Sequence, residues 1–411
     1  MAGFVKEVTP RSDAVDYAAA ALSFPWETSA APVPLAEARG QRLARELVCT
    51  MSYPPYSRSL RDGYAVCSAD VSAATTGTPS FLQKTESVLM GETPKFSIAS
   101  GEAAAIPTGG ALPKGADAVV MLEDASLTGG WVEVRRGVQS GENVIGKGEE
   151  LKKGQKVLGR GELVDFRTAS LLATIGVDKV ETAKLRVSIL STGDEIVPVG
   201  KHPLPCGCIR DVNGATLKFL LARCGFETEY RGIVSDDGAE FEKRFKGELS
   251  HCDVLVLSGG SSVGTRDRCS QMLEQLPEPG LLVRGVNIAP GKPTLVAGCL
   301  KEKKLVVSLP GHPLSCLVAA YTLLIPLLLR LIGAENEKYG HRLSLELSAD
   351  LTAKTGPEEF VPCRLEGDGR VRPVLAKSGY VSPLSQSDGL LRIPENRETL
   401  RAGEIAEVWL W

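Results

Sequence analysis

No run of lysine or arginine stands out in the 411 residues, and 47 basic side chains are offset by 50 acidic ones for a net charge of −3. That balance excludes the basic stripe of a nucleic-acid-binding surface, so an anionic ligand would have to be held by local geometry and not by a global field. No apolar segment looks long enough to cross a bilayer. The longest, Leu314 to Leu329, is interrupted by Ser315, Tyr321, Thr322 and Pro326 and reads as a buried helix. Met1 to Ala20 carries scattered charges and no apolar core of signal-peptide length, so a cytoplasmic, membrane-free protein is expected. A repeat of fixed period is also lacking, which excludes solenoids and propellers. The 10 cysteines form no disulfide framework. Cys49, Cys224 and Cys316 sit on apolar stretches, where cysteine acts as a small hydrophobe. Cys206-Gly207-Cys208 lies in a Pro/Gly-rich loop near His202, but a zinc site would need a fourth ligand that the sequence does not offer.

What is present is the composition of a soluble globular chain, 43% hydrophobic and 24% charged, too long for one ordinary core. The texture changes along it. Residues 1–50 and 145–180 are expected to form one discontinuous linker and helical domain, with helices over Leu35 to Leu47 and Val164 to Ile175, the second closed by Gly176. Residues 51–144, dense in Gly, Thr, Ser and Val with alternating runs such as Trp131 to Val134, read as a small β domain. Residues 181–332 alternate strands (Leu185 to Leu190, Val254 to Leu257) with a helix from Ala215 to Cys224, the pattern of a doubly wound α/β domain with a parallel sheet. Residues 333–411 carry short strands (Leu343 to Leu347, Val371 to Val374, Ile405 to Trp411) and read as a small β-barrel or sandwich.

In an open parallel sheet, ligands bind outside the carboxyl ends of the strands, where helix N-termini and free N–H groups meet anions. Two strands here run into polar glycine-containing loops, Ser191-Thr192-Gly193-Asp194-Glu195 and Ser258-Gly259-Gly260-Ser261-Ser262-Val263-Gly264. Glycine lets backbone approach a phosphate, hydroxyls add donors, and Asp194 suits a divalent cation bridging acid and phosphate. Either loop alone could be a capped turn; the pair weighs toward a phosphorylated ligand. Pro290-Gly291-Lys292-Pro293 follows another strand, Leu281 to Val286, and fixes one cation between prolines, unless it is only a rigid turn. Arg284, on that strand, should have an anionic partner. Leu309-Pro310-Gly311-His312-Pro313-Leu314-Ser315 opens the long apolar helix; its histidine is a base or, with no visible carboxylate beside it, structural.

Taken in order, these segments resemble the MoeA family of molybdopterin molybdenumtransferases, a module shared with the E domain of gephyrin, from about Leu35 to the C-terminus. Pro54-Pro55-Tyr56-Ser57-Arg58-Ser59-Leu60-Arg61-Asp62-Gly63-Tyr64-Ala65-Val66 is similar to the family's PPFDRSAMDGYAV. Ile106 to Pro113 with Gly115 to Val120, Gly148 to Leu151, Ser191 to Glu195, Ile209 to Asn213, Ser258 to Asp267, and the PGKP and LPGHP segments follow in the family's order. Any one of these is weak; their succession is specific.

The resemblance implies a multidomain fold in which a MogA-like doubly wound α/β domain joins a small β domain, a discontinuous helical linker domain and a C-terminal β-barrel. It implies a homodimer whose cleft is shared between subunits, where molybdate displaces AMP from adenylylated molybdopterin with Mg²⁺ present. A MogA-type adenylyltransferase and molybdoenzyme chaperones would be its protein partners. By motif position Asp62, Thr108 and Glu149 would face the cleft from the β side and Asp194 from the α/β side, with Asp194 and Glu149 toward the metal. Substrate would meet Ser191, Thr192, Gly193, Asp211, Asn213, Gly259, Gly260, Ser261 and Asp267, while Arg284, Pro290, Lys292, Pro293 and Ser315 would hold the oxyanion. A non-catalytic pterin-binding scaffold and a tungstate-preferring enzyme are the alternatives. The chain departs from the pattern at Ser57, Arg61, Thr265 and His312. At Ser270 and Ala289 relatives usually carry lysine.

Overall fold

A computed structural model of the chain describes residues 8–259, 263–334, 340–353 and 356–411, without the side chains of 263–268. It divides into two compact units: Met1–Glu46, Gly159–Ser170 and Val177–Trp411 in the first, Leu47–Leu158 and Leu171–Gly176 in the second.

The first unit is organised by a six-stranded sheet. Its strands are β1 (Val187–Thr192), β2 (Thr228–Val234), β3 (Val254–Gly259), β4 (Pro279–Arg284), β5 (Leu295–Cys299) and β6 (Lys304–Leu309), in spatial order β2-β1-β3-β6-β5-β4. Four of the six, β2, β1, β3 and β6, pair in parallel; β1, β3 and β6 are buried along nearly their whole length, while β2, at the edge, has only Val234 buried. The all-parallel expectation needs correction. β5 is antiparallel to both β6 and β4, so the sheet is mixed. A run such as Leu295-Val296-Ala297 encodes burial, not direction.

Helices α1 (Arg11–Ala21), α2 (Val212–Arg223), α3 (Gly238–His251), α4 (Val263–Glu274) and α5 (Pro313–Ile332) belong to this unit. α5 contains a π-helical turn over Ala320–Leu324, where the Thr322 hydroxyl donates to the Val318 carbonyl at 2.7 Å. Gly333 ends it in the left-handed conformation, φ +83°. At 20 residues α5 is long and apolar enough to cross a membrane, contrary to the count made from Leu314 to Leu329, but 89% of its apolar window is buried inside the protein. It packs with α1, β1, β3 and β6 in the largest core cluster, where Leu327, Leu328 and Leu331 are fully buried.

The helix expected over Leu35 to Leu47 does not form. Ser29–Pro34 is a strand paired antiparallel with Lys179–Lys184, Leu35–Glu37 is one 3-10 turn, and Gly40 then turns the chain with φ +75°. Arg42 supplies the reason. Its guanidinium is buried, donates to the carbonyls of Cys224 at 2.5 Å and Gly161 at 2.8 Å, and lies over the Phe226 ring. Tertiary pairing of this kind outweighs helix propensity, which is a fraction of a kcal/mol per residue (~0.7 at most for ordinary side chains).

The C-terminal strands form a sheet in which Arg342–Glu346, Ile405–Leu410, Gly389–Ile393 and Glu358–Leu365 are neighbours, with Val371–Pro373 on the last of these. Leu347 bridges Val371, so the path returns to its start through one bridge. Ile288–Ala289 pairs with Glu358–Glu359 and continues this sheet.

The second unit carries another six-stranded sheet, built from Ala118–Met121, Gly63–Val66, Glu102–Ile106, Ser80–Ser87, Trp131–Val134 and Ala125–Thr128 in that order. Its core is valine- and alanine-rich. A Cβ on Gly63 would meet the Val120 carbonyl oxygen at 1.9 Å, so only glycine allows the two strands to lie this close.

Candidate functional site

The carboxyl ends of β1, β3 and β6 open onto a cleft of about 660 Å³. Ser191 and Thr192 close β1, Ser258 and Gly259 close β3, and Gly311, His312 and Pro313 lead from β6 into α5; all seven line the cleft. Gly259 is at φ +117°, and a Cβ there would meet the Thr192 carbonyl oxygen at 2.0 Å. Gly193 has φ +147° and no room for a Cβ beside Glu195 and Ile196. Both glycines are thus fixed by backbone geometry where the sequence placed its loops.

The hydroxyls do something other than expected. Ser191 donates to Asp211 Oδ2 at 2.6 Å and Thr192 to Asp236 Oδ1 at 2.7 Å. Each hydroxyl has one hydrogen, so these two present lone pairs to the cleft and not donors. Asp211, buried, caps α2 through Oδ1 and the Gly214 N–H, while its Oδ2 also accepts the Tyr230 hydroxyl at 2.5 Å. Burial first, and the Asp211 carboxylate second, push the Tyr230 phenol well above its ordinary range, which keeps its proton on the bond. Asn213 lines the same cleft from the first turn of α2.

Asp194 is exposed and accepts the Asp236 N–H at 3.0 Å. It does not line the cleft, but its neighbour Glu195 and its partner Asp236 do. Sequence reasoning passed over Asp236, because the strand before it, Thr228–Val234, lacks the apolar run that marks the other two. It also passed over Tyr230, whose place inside β2 gave no signal, and the Gly379 to Val381 segment, which completes the wall from the C-terminal region.

The segment expected to hold an oxyanion stands elsewhere on the same sheet edge. β4 is the far edge strand, and Arg284 at its end pairs with Glu274 of α4, the anionic partner that the sequence called for. The following loop is braced by the Thr294 hydroxyl on the Gly291 carbonyl at 2.7 Å and by Val286 N–H on the Lys292 carbonyl at 3.0 Å, with Pro290 and Pro293 at its corners. Lys292 is exposed and Ser315 buried in α5. Arg284, Pro290, Lys292, Pro293 and Ser315 do not line the 660 Å³ cleft. Ala289 is half-buried, and Ser270 is buried with an unpartnered hydroxyl. Gly260 and Ser261, and the side chain of Asp267, lie outside the described residues.

In the second unit, Asp62 Oδ1 accepts the Thr108 N–H at 2.7 Å, which brings together two residues 46 apart in sequence. Both are exposed. Glu149 Oε2 folds back on its own turn and accepts the Gly146 N–H at 2.6 Å. Arg61, where relatives carry methionine, is exposed beside them.

Among the described residues no three His, Cys, Asp or Glu side chains converge on a metal position. Asp194 and Asp236 together supply two carboxylates, which fits Mg²⁺ completed by phosphate oxygens and water and does not fit a protein-only cage. Cys206 and Cys208 are not joined in a disulfide, and His202 Nδ1 meets the Arg210 guanidinium at 3.2 Å.

Comparison with known proteins adds the family. Residues 9–176 match the MoeA N-terminal region (domain I and II), residues 188–330 a "probable molybdopterin binding domain", and residues 344–411 the MoeA C-terminal region (domain IV). The molybdopterin molybdenumtransferase of Haemophilus influenzae is 33% identical over 394 residues, 94% of this chain and 95% of that protein. That of Synechococcus elongatus is 30% identical over 380 residues, 92% and 93% of the two chains. A molybdopterin biosynthesis MoeA protein of Pyrococcus horikoshii OT3 superposes with a TM-score of 0.83 at 28% identity, covering 98% of this chain and 100% of its own. With most of its cleft lined by the segment that matches the molybdopterin-binding domain, and with a relative of 33% identity matched nearly end to end, the chain belongs to the MoeA family.

Proposed function

We propose that this protein is a molybdopterin molybdenumtransferase of molybdenum cofactor biosynthesis, acting on adenylylated molybdopterin and molybdate with release of AMP. The observation that carries the reading is the cleft at the carboxyl ends of β1, β3 and β6, lined mostly by the matched molybdopterin-binding segment. Relatives that bear the transferase name match more than nine-tenths of the chain and support it.

In this reaction a molybdate oxygen forms a bond to the pterin phosphorus as the phosphoanhydride bond to AMP breaks, and AMP leaves with the electron pair of that P–O bond. Positioning and charge neutralisation supply most of the acceleration in such displacements. Gly311, His312 and Pro313 line the cleft and bring the N-terminal end of α5, the positive end of its dipole, beside it, which suits the phosphate. Asp194, with Asp236, would hold Mg²⁺, which would neutralise phosphate charge when bound. Arg284, Lys292 and Ser315 would receive the oxyanion, Arg284 after exchanging Glu274 for it. Asp62, Thr108 and Glu149 would complete the site from a partner subunit in a homodimer with a shared cleft. The same proposal covers a cytoplasmic setting and four domains per chain: 1–50 with 145–180, 51–144, 181–332 and 333–411.

The test is AMP release from adenylylated molybdopterin with Mg²⁺, with and without molybdate. Molybdate-dependent release supports the reading. A chain that binds the nucleotide-linked pterin and releases no AMP with molybdate or tungstate is a scaffold instead.

A further inference from the structure

The side-chain amide of Asn213 is 8% exposed and lines the cleft, and its Nδ2 donates to the Gly311 carbonyl oxygen at 2.7 Å. That bond fixes the amide, because a carbonyl can only be met by the NH₂ end, so Oδ1 is the other atom without ambiguity. No described residue donates to Oδ1, although it is buried. Three nearby hydroxyls are already committed: Ser191 and Tyr230 donate to Asp211, and Thr192 to Asp236. Asn213 Oδ1 is therefore a fixed, neutral acceptor on the cleft wall, set between the start of α2 and the turn into α5.

A neutral carbonyl oxygen cannot stabilise a phosphate or an oxyanion, both of which bring only lone pairs. It needs an N–H or O–H donor. We propose that Asn213 is a specificity-determining residue that accepts a hydrogen bond from the 2-amino edge of the pterin ring, an assignment that rests on the pterin substrate proposed above. The consequence is a division of labour within one cleft. The α5 N-terminus serves the charged end of the ligand, and Asn213 reads the heterocycle. A site built to hydrogen-bond an N–H discriminates strongly against an analogue lacking it, because the buried acceptor is then left unpaired.

The experiment compares 6-hydroxymethylpterin with 6-hydroxymethyllumazine, in which an oxo group replaces the 2-amino group. Both are titrated by fluorescence into the full-length protein and into Asn213→Ala, with thermal unfolding and AMP binding followed alongside. The wild type should bind the pterin at least tenfold more tightly than the lumazine. Asn213→Ala should lose that preference while keeping its AMP affinity within about twofold. A purely structural role for the Gly311 bond would weaken both heterocycles equally and leave their ratio unchanged, which overturns the proposal. Equal binding of the two compounds by the wild type overturns it without any variant. Pterin preference in a wild-type protein that fails to release AMP would sink the transferase reading and leave this one standing.

Discussion

Two aspartates show how one residue type is sorted by its surroundings. Asp211 is saturated: both oxygens accept bonds from groups of its own wall, so it holds the architecture and has little left for a ligand. Asp194 accepts one backbone N–H, and its second oxygen has no partner among the described residues. Asp194→Asn keeps the volume and the acceptor for Asp236 N–H while removing the charge. It should unfold at the wild-type temperature and release AMP at least tenfold more slowly, the loss of about 1.4 kcal/mol or more of transition-state stabilisation. Near-normal turnover would reduce Asp194 to a loop brace. Ser270 marks a limit of motif comparison. Relatives usually carry lysine there, yet the position is buried beside Cys269 and Leu273. A lysine introduced at 270 would have to carry its ammonium out past that wall, at a cost to the core.

At the scale of elements, strand ends and ion pairs set the register of the cleft. Gly259→Ala would drive a methyl group into the Thr192 carbonyl and part β1 from β3 where both line the cleft. Such overpacking costs about 1–3 kcal/mol, and the variant should show both a lowered denaturation midpoint and weaker pterin binding. Farther away, Glu358 ties α1 to the C-terminal sheet through Arg11 at 2.7 Å and Arg392 at 2.5 Å. Burial pushes its carboxyl up, but the two guanidinium groups outweigh that and hold it below the ordinary carboxylate range. Its contribution to stability is therefore present above the unfolded pKa and is lost as pH falls through the depressed folded value. Glu358→Gln should destabilise the protein by up to about 3 kcal/mol at neutral pH, toward the lower end for a broken buried pair because Arg392 is partly exposed. The deficit should shrink in acid. Denaturant melts of both proteins at pH 7 and pH 3 check the sign; a deficit that is independent of pH would contradict it.

These elements also show what could be read beforehand. Trp131–Val134 follows from alternation, and the helix expected over Ala215 to Cys224 is the body of Val212–Arg223. Arg284 was expected to find an anion, and Glu274 is that anion. Leu35 to Leu47 misled because its apolar spacing is helical while its conformation is dictated by Arg42, whose partners Gly161 and Cys224 lie 119 and 182 residues away. The reversal of β5 was invisible for a related reason: pairing direction resides in the topology and not in the strand's own residues. Within the site, the glycine turns were legible and the hydrogen-bond partners were not. Nothing in the order Ser191, Asp211, Tyr230 says that the three share one proton-donor network.

For the whole molecule, the proposed shared cleft makes a prediction that neither unit can make alone. Asp62→Ala and Asp194→Ala should each be nearly inactive, and co-refolded heterodimers should recover up to about a quarter of wild-type specific activity under statistical mixing if one intact cleft is restored in half of the dimers. Verified heterodimers that stay inactive would confine each site to one chain. The central claim, however, rests on chemistry more than on assembly. Its most direct test is the stoichiometry of a single turnover, with enzyme in excess over adenylylated molybdopterin, Mg²⁺ and saturating molybdate. The account predicts one AMP released for each molybdenum atom retained on the pterin, and release that slows sharply when molybdate is withheld. AMP release at the same rate without the oxyanion, with no molybdenum on the pterin, would mean that the cleft only hydrolyses the anhydride and would contradict the assignment.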